Sequence, residues 1–117
     1  MTPFPQPSGD FGIPVDHDPV NGTSLQKNQD FDMTWTFKNT GTTTWNNKYY
    51  ITFFGGNRIG NGDNTYFLVK EVKPGELGSI TVKMIAPDRT GDYKSIWMLM
   101  SDQNKAIIEL NVLINVP

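Results

Sequence analysis

The stretch TWTFKNTGTTTW, residues 34–45, places two tryptophans ten positions apart around an Asn-Thr-Gly turn. Before the turn, Trp35 and Phe37 alternate with threonines and a lysine, which is the period-two pattern of a strand with one buried face. The glycine of the turn marks the point at which the chain leaves this strand. We therefore interpret the stretch as the corner of a folded sheet, with Trp35 as a core anchor. Trp45 either caps one end of the core or touches a partner.

The rest of the chain also divides into short strands separated by turns. Bulky residues fill or alternate through KYYITFFGG, YFLVKEV, LGSITVKMIAP, DRTGDYKSIWMLMS and AIIELNVLINV, and Gly, Pro, Asn or Asp separate these segments. Trp97 falls in the apolar phase of its strand and is predicted to be a core residue. No segment carries a long 3.6-residue apolar period. The pattern predicts an all-β sandwich of two sheets with about seven short strands and, without cysteine, no disulfide.

The N-terminal region differs in composition from the rest. Residues 1–10 contain three prolines together with Ser, Gly and Gln, which is typical of a flexible linker. Residues 11–117 have the length of a single domain with a real core. Within residues 11–29, Pro14 and Pro19 interrupt short apolar pieces, which indicates an edge strand followed by turns.

Charge and hydropathy exclude two classes of partner. The formal net charge is −2 and the lysines are scattered singly, so the domain offers no basic track for a phosphate backbone and no nucleic-acid binding is predicted. No apolar run is long enough to span a bilayer, and the first residues lack the basic and apolar regions of a signal peptide. We expect no membrane contact by this domain, which is either cytosolic or part of a longer protein.

The sequence contains no catalytic constellation, so we predict neither an enzyme nor a cofactor. The only histidine, His17, lies in an Asp-His-Asp triplet in a proline-flanked loop and would need distant residues to complete a metal site. Asn61, Asp63 and Asn64 resemble the start of a calcium loop, but no acidic closing ligand follows. We interpret the first segment as a solvated loop and the second as a tight turn. Asn21 begins an Asn-Gly-Thr glycosylation pattern, which matters only in a eukaryotic secreted protein.

The aromatic residues supply the remaining candidates. Tyr93 precedes a strand, and its hydroxyl is predicted to bond back to the backbone near Asp88. In the strand KYYITFFGG both phases are bulky, Phe54 included, and a glycine-rich loop follows. The candidate partner surface built on this strand and loop comprises Trp45, Tyr49, Tyr50, Phe53, Arg58 and Tyr66. An alternative is a carbohydrate-binding module, which requires at least two of Trp45, Tyr49, Tyr50 and Tyr66 to lie coplanar on one open face with Asn or Asp beside them.

Five pieces of the sequence resemble one known family. In order they are WTFKNTGTTTW, KPGE, IAP, TGDY and IWML. Together they resemble the immunoglobulin-like four-tryptophan (FW) domain in the centre of certain selective-autophagy receptors and, widely, in bacterial proteins. The resemblance runs from about Asn21 to the C-terminus. Trp35, Trp45 and Trp97 match three of the four tryptophans, whereas the last strand, IIELNVLI, has none, and the phenylalanine-glycine that commonly precedes it is absent.

The resemblance implies an immunoglobulin-like sandwich of two antiparallel sheets with about seven to nine strands. It also implies a non-catalytic protein-interaction or structural spacer module of a larger protein. It implies a protein partner, with a glycan as the alternative ligand. The two departures in the last strand imply a divergent bacterial member. Bacterial modules of this kind imply an extracytoplasmic location in a surface or membrane-tethered protein, with the cytoplasm as the alternative. As an isolated domain the chain is expected to be monomeric.

Overall fold

The computed structural model describes residues 9–59 and 62–117, which form eight β-strands and no helix. The strands are β1 (Gly12–Asp18), β2 (Thr23–Ser24), β3 (Asp30–Asn39), β4 (Tyr50–Gly56), β5 (Thr65–Phe67), β6 (Leu77–Ile85), β7 (Gly91–Met100) and β8 (Ala106–Val116). The predicted all-β fold is confirmed. The described residues contain no helix with the length and hydrophobicity that crossing a membrane requires.

Two sheets pack against each other through one core. The first has three strands in the order β1-β3-β6, and the second has five in the order β2-β8-β7-β4-β5. The pairings are antiparallel apart from that of the short strand β2, which runs parallel to β8. In constant-type immunoglobulin domains a fourth strand lies beyond the one that occupies the position of β6. Here residues 68–76 connect β5 directly to β6, so β6 is the edge of its sheet.

Alternation along the strands builds the core. The inward phases of β3, β6, β7 and β8 are buried, as the sequence pattern predicts. Trp35 from the three-stranded sheet and Trp97 from the five-stranded sheet meet at the centre, with ring centroids 6.1 Å apart. The indole Nε1 of Trp97 donates a hydrogen bond of 2.9 Å to the buried hydroxyl of Ser95. Period-two patterning therefore places two of the three tryptophans in the interior.

A tyrosine corner forms at the start of β7, where Tyr93 is the third residue of the strand. The hydroxyl of Tyr93 donates a hydrogen bond of 2.7 Å to the backbone carbonyl of Arg89, one residue after the Asp88 position that the sequence suggests. The bond spans the loop that leads into β7, and it fixes the angle at which the chain enters the strand.

The folded domain begins earlier than residue 11. The backbone N–H of Thr42 donates to the carbonyl of Gly9 at 3.0 Å, and the N–H of Gly9 donates to the hydroxyl of Thr42 at 2.8 Å. The carboxylate of Asp10 accepts hydrogen bonds from the hydroxyls of Tyr49 and Thr43. Gly9 and Asp10 are thus part of the domain and not of a linker. The rest of the predicted linker, residues 1–8, lies outside the described residues.

The segment YFLVKEV forms a shorter strand than its composition predicts. Only its first two residues belong to β5, after which Leu68 and Val72 turn into the core and are each 3% exposed. The backbone of Val72 exchanges two hydrogen bonds of 2.9 Å with that of Trp45. Leu68 and Val72 therefore cover the core at one end of the sandwich instead of extending the sheet.

Candidate functional site

Two of the predicted partner-surface residues, Trp45 and Tyr49, lie in the core. Trp45 is 0% exposed and Tyr49 is 3% exposed. The ring of Trp45 packs between those of Phe37 and Tyr49, with centroid distances of 5.8 Å and 6.2 Å. The connection through Val72 covers this end of the sandwich, and for that reason neither residue can reach a partner. The assignment of Trp45 and Tyr49 to an exposed surface is corrected accordingly.

Phe53 and Tyr66 also point towards the core rather than towards solvent. Their rings pack on that of Trp97, at centroid distances of 5.7 Å and 6.2 Å, and both are partly buried. Arg58 is exposed, and its guanidinium lies 5.9 Å from the centroid of the Phe53 ring. It also donates hydrogen bonds to the side chain of Asn64 and to the backbone carbonyl of Gly62. Arg58 thus organises its own loop and is committed to intramolecular contacts.

Tyr50 is the predicted aromatic residue that does lie on the outside of the sheet. In the register of the five-stranded sheet it stands between Phe67 of β5 and Met100 of β7, and its ring centroid is 5.5 Å from that of Phe67. In the next row Thr52 is paired with Met98. A bulge after Phe53 leaves Phe54 on the outside with 66% of its surface exposed, and Phe67 is 56% exposed.

We call this region the outer apolar face. It comprises Tyr50, Phe54, Phe67, Ile96, Met98 and Met100. The sequence signal for it is that the outward phases of β4 and β7 are apolar as well as the inward ones. When both sets of alternate residues in a strand are apolar, alternation does not show which set faces the core. For this reason the candidate surface predicted from the sequence contains residues that face the core as well as residues that face solvent.

The outer face of the other sheet has the opposite character. The outward residues of β3 and β6 are mainly polar and include Asp32, Thr34, Lys38, Thr81 and Lys83, with an exposed ion pair of 3.6 Å between Lys83 and Asp32. The exposed apolar residues Ile13 and Leu77 flank Lys38 at one end of this face. A polar outer face is the ordinary arrangement for a sandwich. The two outer faces of the same small domain thus differ, which singles out the apolar one as the candidate functional surface.

The outer apolar face is suited to recognition. Its groups are aromatic rings and thioethers, which adapt to an apolar partner surface. The hydroxyl of Tyr50 donates to the side-chain oxygen of Asn104 at 2.7 Å, and Glu109 lies beside Met98 in the register. These polar groups form part of a rim around apolar side chains, which is the usual composition of a protein interface.

The two polar segments singled out in the sequence differ in structure: Asp16, His17 and Asp18 lie at the end of β1, paired with β3, so the prediction of a loop there is wrong, whereas Asp63 and Asn64 lie in a loop. Across residues 9–59 and 62–117, no three His, Cys, Asp or Glu side chains converge closely enough to hold a metal ion. The Nδ1 atom of His17, in β1, lies 3.1 Å from the carbonyl oxygen of Pro19, which follows the strand. Asp63 and Asn64 are exposed in the loop after β4, and Asn61 lies outside the described residues.

The condition for a sugar-stacking platform is not met. It requires at least two of Trp45, Tyr49, Tyr50 and Tyr66 to be coplanar on an open face. Trp45 and Tyr49 are stacked at an interplanar angle of 21°, but both are buried. Tyr66 packs inward on Trp97, and Tyr50 is left beside Phe67, whose ring is tilted by 53°. The geometry does not favour the carbohydrate-binding alternative.

Comparison with known proteins gives consistent matches. The model of the family described as "Ig-like domain from next to BRCA1 gene" matches residues 20–116. The Next to BRCA1 gene 1 protein of Mus musculus is 36% identical over 86 residues, which cover 73% of this chain and 9% of the mouse protein. The Homo sapiens protein is 35% identical over 86 residues, with the same coverage. Protein ILRUN of Danio rerio is 28% identical over 78 residues, covering 67% of this chain and 27% of ILRUN.

These matches correct the predicted source of the protein. The relatives are vertebrate proteins, which speaks against the predicted bacterial source. The chain spans about a tenth of the length of the Next to BRCA1 gene 1 proteins it matches.

The missing fourth tryptophan does not remove the last strand from the match, which extends to residue 116. Since the family model covers β2 to β8 and the mouse relative exceeds 30% identity over most of the chain, the chain belongs to the family of Ig-like domains from next to BRCA1 gene.

Proposed function

We propose that this domain is a non-catalytic protein-interaction module of a longer chain and that the outer apolar face is its binding surface. The family resemblance implies a partner-binding role, and relatives in which the domain is a minor fraction of a long chain fit a module that works beside others. The described residues present an apolar surface in a domain whose core is already complete without it.

The exposure of Phe54 and Phe67 carries this proposal. Each is more than half exposed on the same sheet face, although burial of a whole phenylalanine side chain is worth about 1.5 to 3 kcal/mol. A partner that covered the exposed half of each would gain about 1 to 2 kcal/mol per ring. Aromatic side chains at the centre of an interface are frequent hot spots. The partner that fits is a protein surface with apolar anchors and a polar rim.

The double variant Phe54→Ser/Phe67→Ser tests the binding surface. The matched control, Thr36→Ala/Lys38→Ala, lies on the outer face of the other sheet. Proteins retained by the immobilised domain from an extract of its source cells are quantified by mass spectrometry, and the strongest are purified and titrated by calorimetry. We expect the wild-type domain and the control to bind alike and the double variant to lose at least tenfold in affinity.

Two outcomes oppose the proposal in different ways. Equal binding by the wild-type domain and the Phe54→Ser/Phe67→Ser variant would move the interaction to another surface. No retained protein for any variant would leave a structural spacer as the function.

A further inference from the structure

The two sheets have four edges, and three of them are protected against pairing with another strand. β2 and β5 are two and three residues long. β1 carries Pro14, a register shift between Pro14 and Asp16, and the exposed carboxylates of Asp16 and Asp18. Short length, proline, bulges and charge are the usual devices by which proteins block edge strands. β6 is nine residues long, has no proline and pairs with β3 without a register shift.

The backbone groups on the free side of β6 can be assigned from its register. Asn39 N–H donates to the carbonyl of Glu76, and Ala86 N–H donates to the carbonyl of Gln29, at the two ends of the β3–β6 pairing. In an antiparallel pair every second residue bonds to the neighbouring strand. Like Glu76 and Ala86, the even-numbered residues between them therefore bond on the β3 side. The odd-numbered residues of β6 direct their N–H and C=O groups away from β3; they are Leu77, Ser79, Thr81, Lys83 and Ile85.

These outward backbone groups are available to a partner. Among the described residues, no loop or side chain bonds to the backbone of Ser79, Thr81 or Lys83. Leu77 is 61% exposed at the beginning of the strand. The position beyond β6 is the one that a fourth strand occupies in constant-type immunoglobulin sheets, and here the chain leaves it open.

We infer that a second copy of this chain fills this position, with two β6 strands pairing antiparallel about a two-fold axis at Thr81. Thr81 is the middle residue of Leu77–Ile85, so this register uses the whole strand. It places Thr81 opposite the second copy's Thr81, Ser79 opposite the second copy's Lys83, and Leu77 opposite the second copy's Ile85. All of these residues have outward backbone groups, and the two three-stranded sheets become one sheet of six strands.

The strand is complementary to itself in this register. Lys83 is the charged residue of β6, and it faces a serine and not another lysine. The two copies of Lys83 are offset by four residues along the strand, or roughly 14 Å. This distance exceeds the Debye length of about 8 Å at physiological ionic strength, so their repulsion is screened. At each end the exposed Leu77 gains an apolar neighbour in Ile85, which is itself half-buried.

Thr81 continues a row of threonine pairs across the axis. Its hydroxyl lies 2.8 Å from that of Thr34 on β3. In the pair of copies the row becomes Thr34, Thr81 and their two symmetry mates. Threonine pairs directly opposite each other stabilise antiparallel sheets. Because both copies use the same surface, the contact is complete in a dimer and does not lead to larger assemblies. The inferred state is therefore a dimer, whereas the sequence predicts a monomer. The dimer leaves the outer apolar face open and so does not depend on the proposed function.

Charge reversal at the axis tests the pairing. Thr81→Lys and Thr81→Glu each place two like charges opposite each other, whereas a mixture of the two variants places opposite charges there. The matched control is Thr65→Lys, because Thr65 is also an exposed edge-strand threonine, with its hydroxyl 3.2 Å from that of Thr52. Sedimentation velocity is measured from micromolar to millimolar concentration, with circular dichroism melts to show that each variant is folded.

We expect the wild-type domain and Thr65→Lys to associate reversibly into dimers with the same affinity. Each Thr81 variant alone should weaken the dimer at least tenfold, and their equimolar mixture should restore association. A wild-type domain that stays monomeric at millimolar concentration would overturn the inference. So would a dimer that Thr81→Lys does not weaken, or folded variants whose mixture fails to associate.

Amide hydrogen exchange checks the register independently. At low concentration the N–H groups of Ser79, Thr81 and Lys83 should exchange rapidly, while those of Ile80 and Val82, which are bonded to β3, should be protected. At high concentration the first three should become protected by at least tenfold. Unchanged exchange at these three residues in a proven dimer would place the contact elsewhere and overturn the inference.

Discussion

The indole Nε1 of Trp35, on β3, donates a hydrogen bond of 3.1 Å to the backbone carbonyl of Asn111, on β8. The bond joins the three-stranded sheet to the five-stranded sheet, and the ring of the same residue packs on Trp97. Trp97 satisfies its own indole N–H through Ser95. The Nε1 of Trp45, by contrast, is buried without a hydrogen-bond partner among the described residues. The three tryptophans thus share burial but differ in how their polar atom is satisfied.

The first prediction concerns the cost of removing each indole. Trp35→Ala, Trp45→Ala and Trp97→Ala should each lower the free energy of unfolding by on the order of 3 to 5 kcal/mol, because all three side chains are fully buried. The sequence pattern alone predicts a smaller loss for Trp45. Denaturant titration monitored by circular dichroism measures the losses, with the exposed Phe54→Ala as the control. A loss below about 1 kcal/mol at Trp45 would contradict its placement in the core.

The different outcome at Trp45 shows where sequence reasoning stops. Alternation along a strand is a local signal, and it places Trp35 and Trp97 because each lies inside a strand. Trp45 follows a turn, and it is buried by Val72, which is 27 residues further along the chain. No period in the sequence encodes that pairing. For the same reason the sequence predicts the existence of the sandwich but neither the early end of β5 nor the open edge of β6.

The candidate surface was predictable only in part. The sequence identifies β4 as a strand with two bulky phases, and Tyr50 and Phe54 do lie on its outer side. The choice of phase depends on which neighbours each strand receives, and the long-range pairing of β4 between β5 and β7 decides it. Phe67, Met98 and Met100 join the surface through that pairing alone.

The second prediction concerns Asn39, which organises the turn after β3. Its side chain is fully buried and donates hydrogen bonds to the carbonyls of Thr43 and Val72, at 2.8 Å and 3.0 Å, while its side-chain oxygen accepts from Gly41 N–H at 3.0 Å. Asn39→Ala removes this partner from three backbone groups, of which the Val72 carbonyl still accepts from Trp45 N–H at 2.9 Å. We expect a loss of roughly 2 to 4 kcal/mol, since one orphaned buried group costs about 1 to 3 kcal/mol.

Thermal and denaturant unfolding measure the effect of Asn39→Ala, and Asn47→Ala, at an exposed position in the following loop, serves as the control. Asn39→Asp should be at least as harmful as Asn39→Ala, because the carboxylate oxygen that replaces Nδ2 faces the carbonyl oxygens of Thr43 and Val72 and can donate to neither. Equal stability of the Asn39 and Asn47 variants would show that the turn holds without the side-chain amide.

The third prediction uses glycines that face the core. A Cβ atom at Gly12 would lie 2.6 Å from Cη2 of Trp45, and one at Gly78 would lie 2.6 Å from Cγ2 of Val72. Gly12→Ala and Gly78→Ala should therefore each cost about 1 to 3 kcal/mol through overpacking. Gly55→Ala is the matched control, because a Cβ atom there meets nothing within 4 Å. Should all three variants unfold at the same denaturant concentration, the close packing at this end of the sandwich would be refuted.

The fourth prediction concerns alkaline pH and Tyr49. Burial, followed by the hydrogen bond to Asp10, raises the pKa of Tyr49 from its ordinary value of 10.0 to about 12. The phenol donates this bond to the carboxylate at 2.6 Å, and only its protonated form can do so. Since the folded state holds this proton more tightly than the unfolded state, the stabilisation is complete below pH 10. It is lost as the pH rises from about 10 to about 12.

The measurement compares the pH dependence of unfolding in the wild-type domain and in Tyr49→Phe. We expect Tyr49→Phe to be less stable at neutral pH, because Asp10 loses a hydrogen-bond donor, and to lose less additional stability between pH 10 and pH 12. Asp10→Asn should reduce the slope in part, since a neutral amide does not repel the phenolate that forms. Parallel curves for the wild-type domain and Tyr49→Phe across this range would mean that the phenol titrates alike in the folded and unfolded states, contrary to its position beside Asp10.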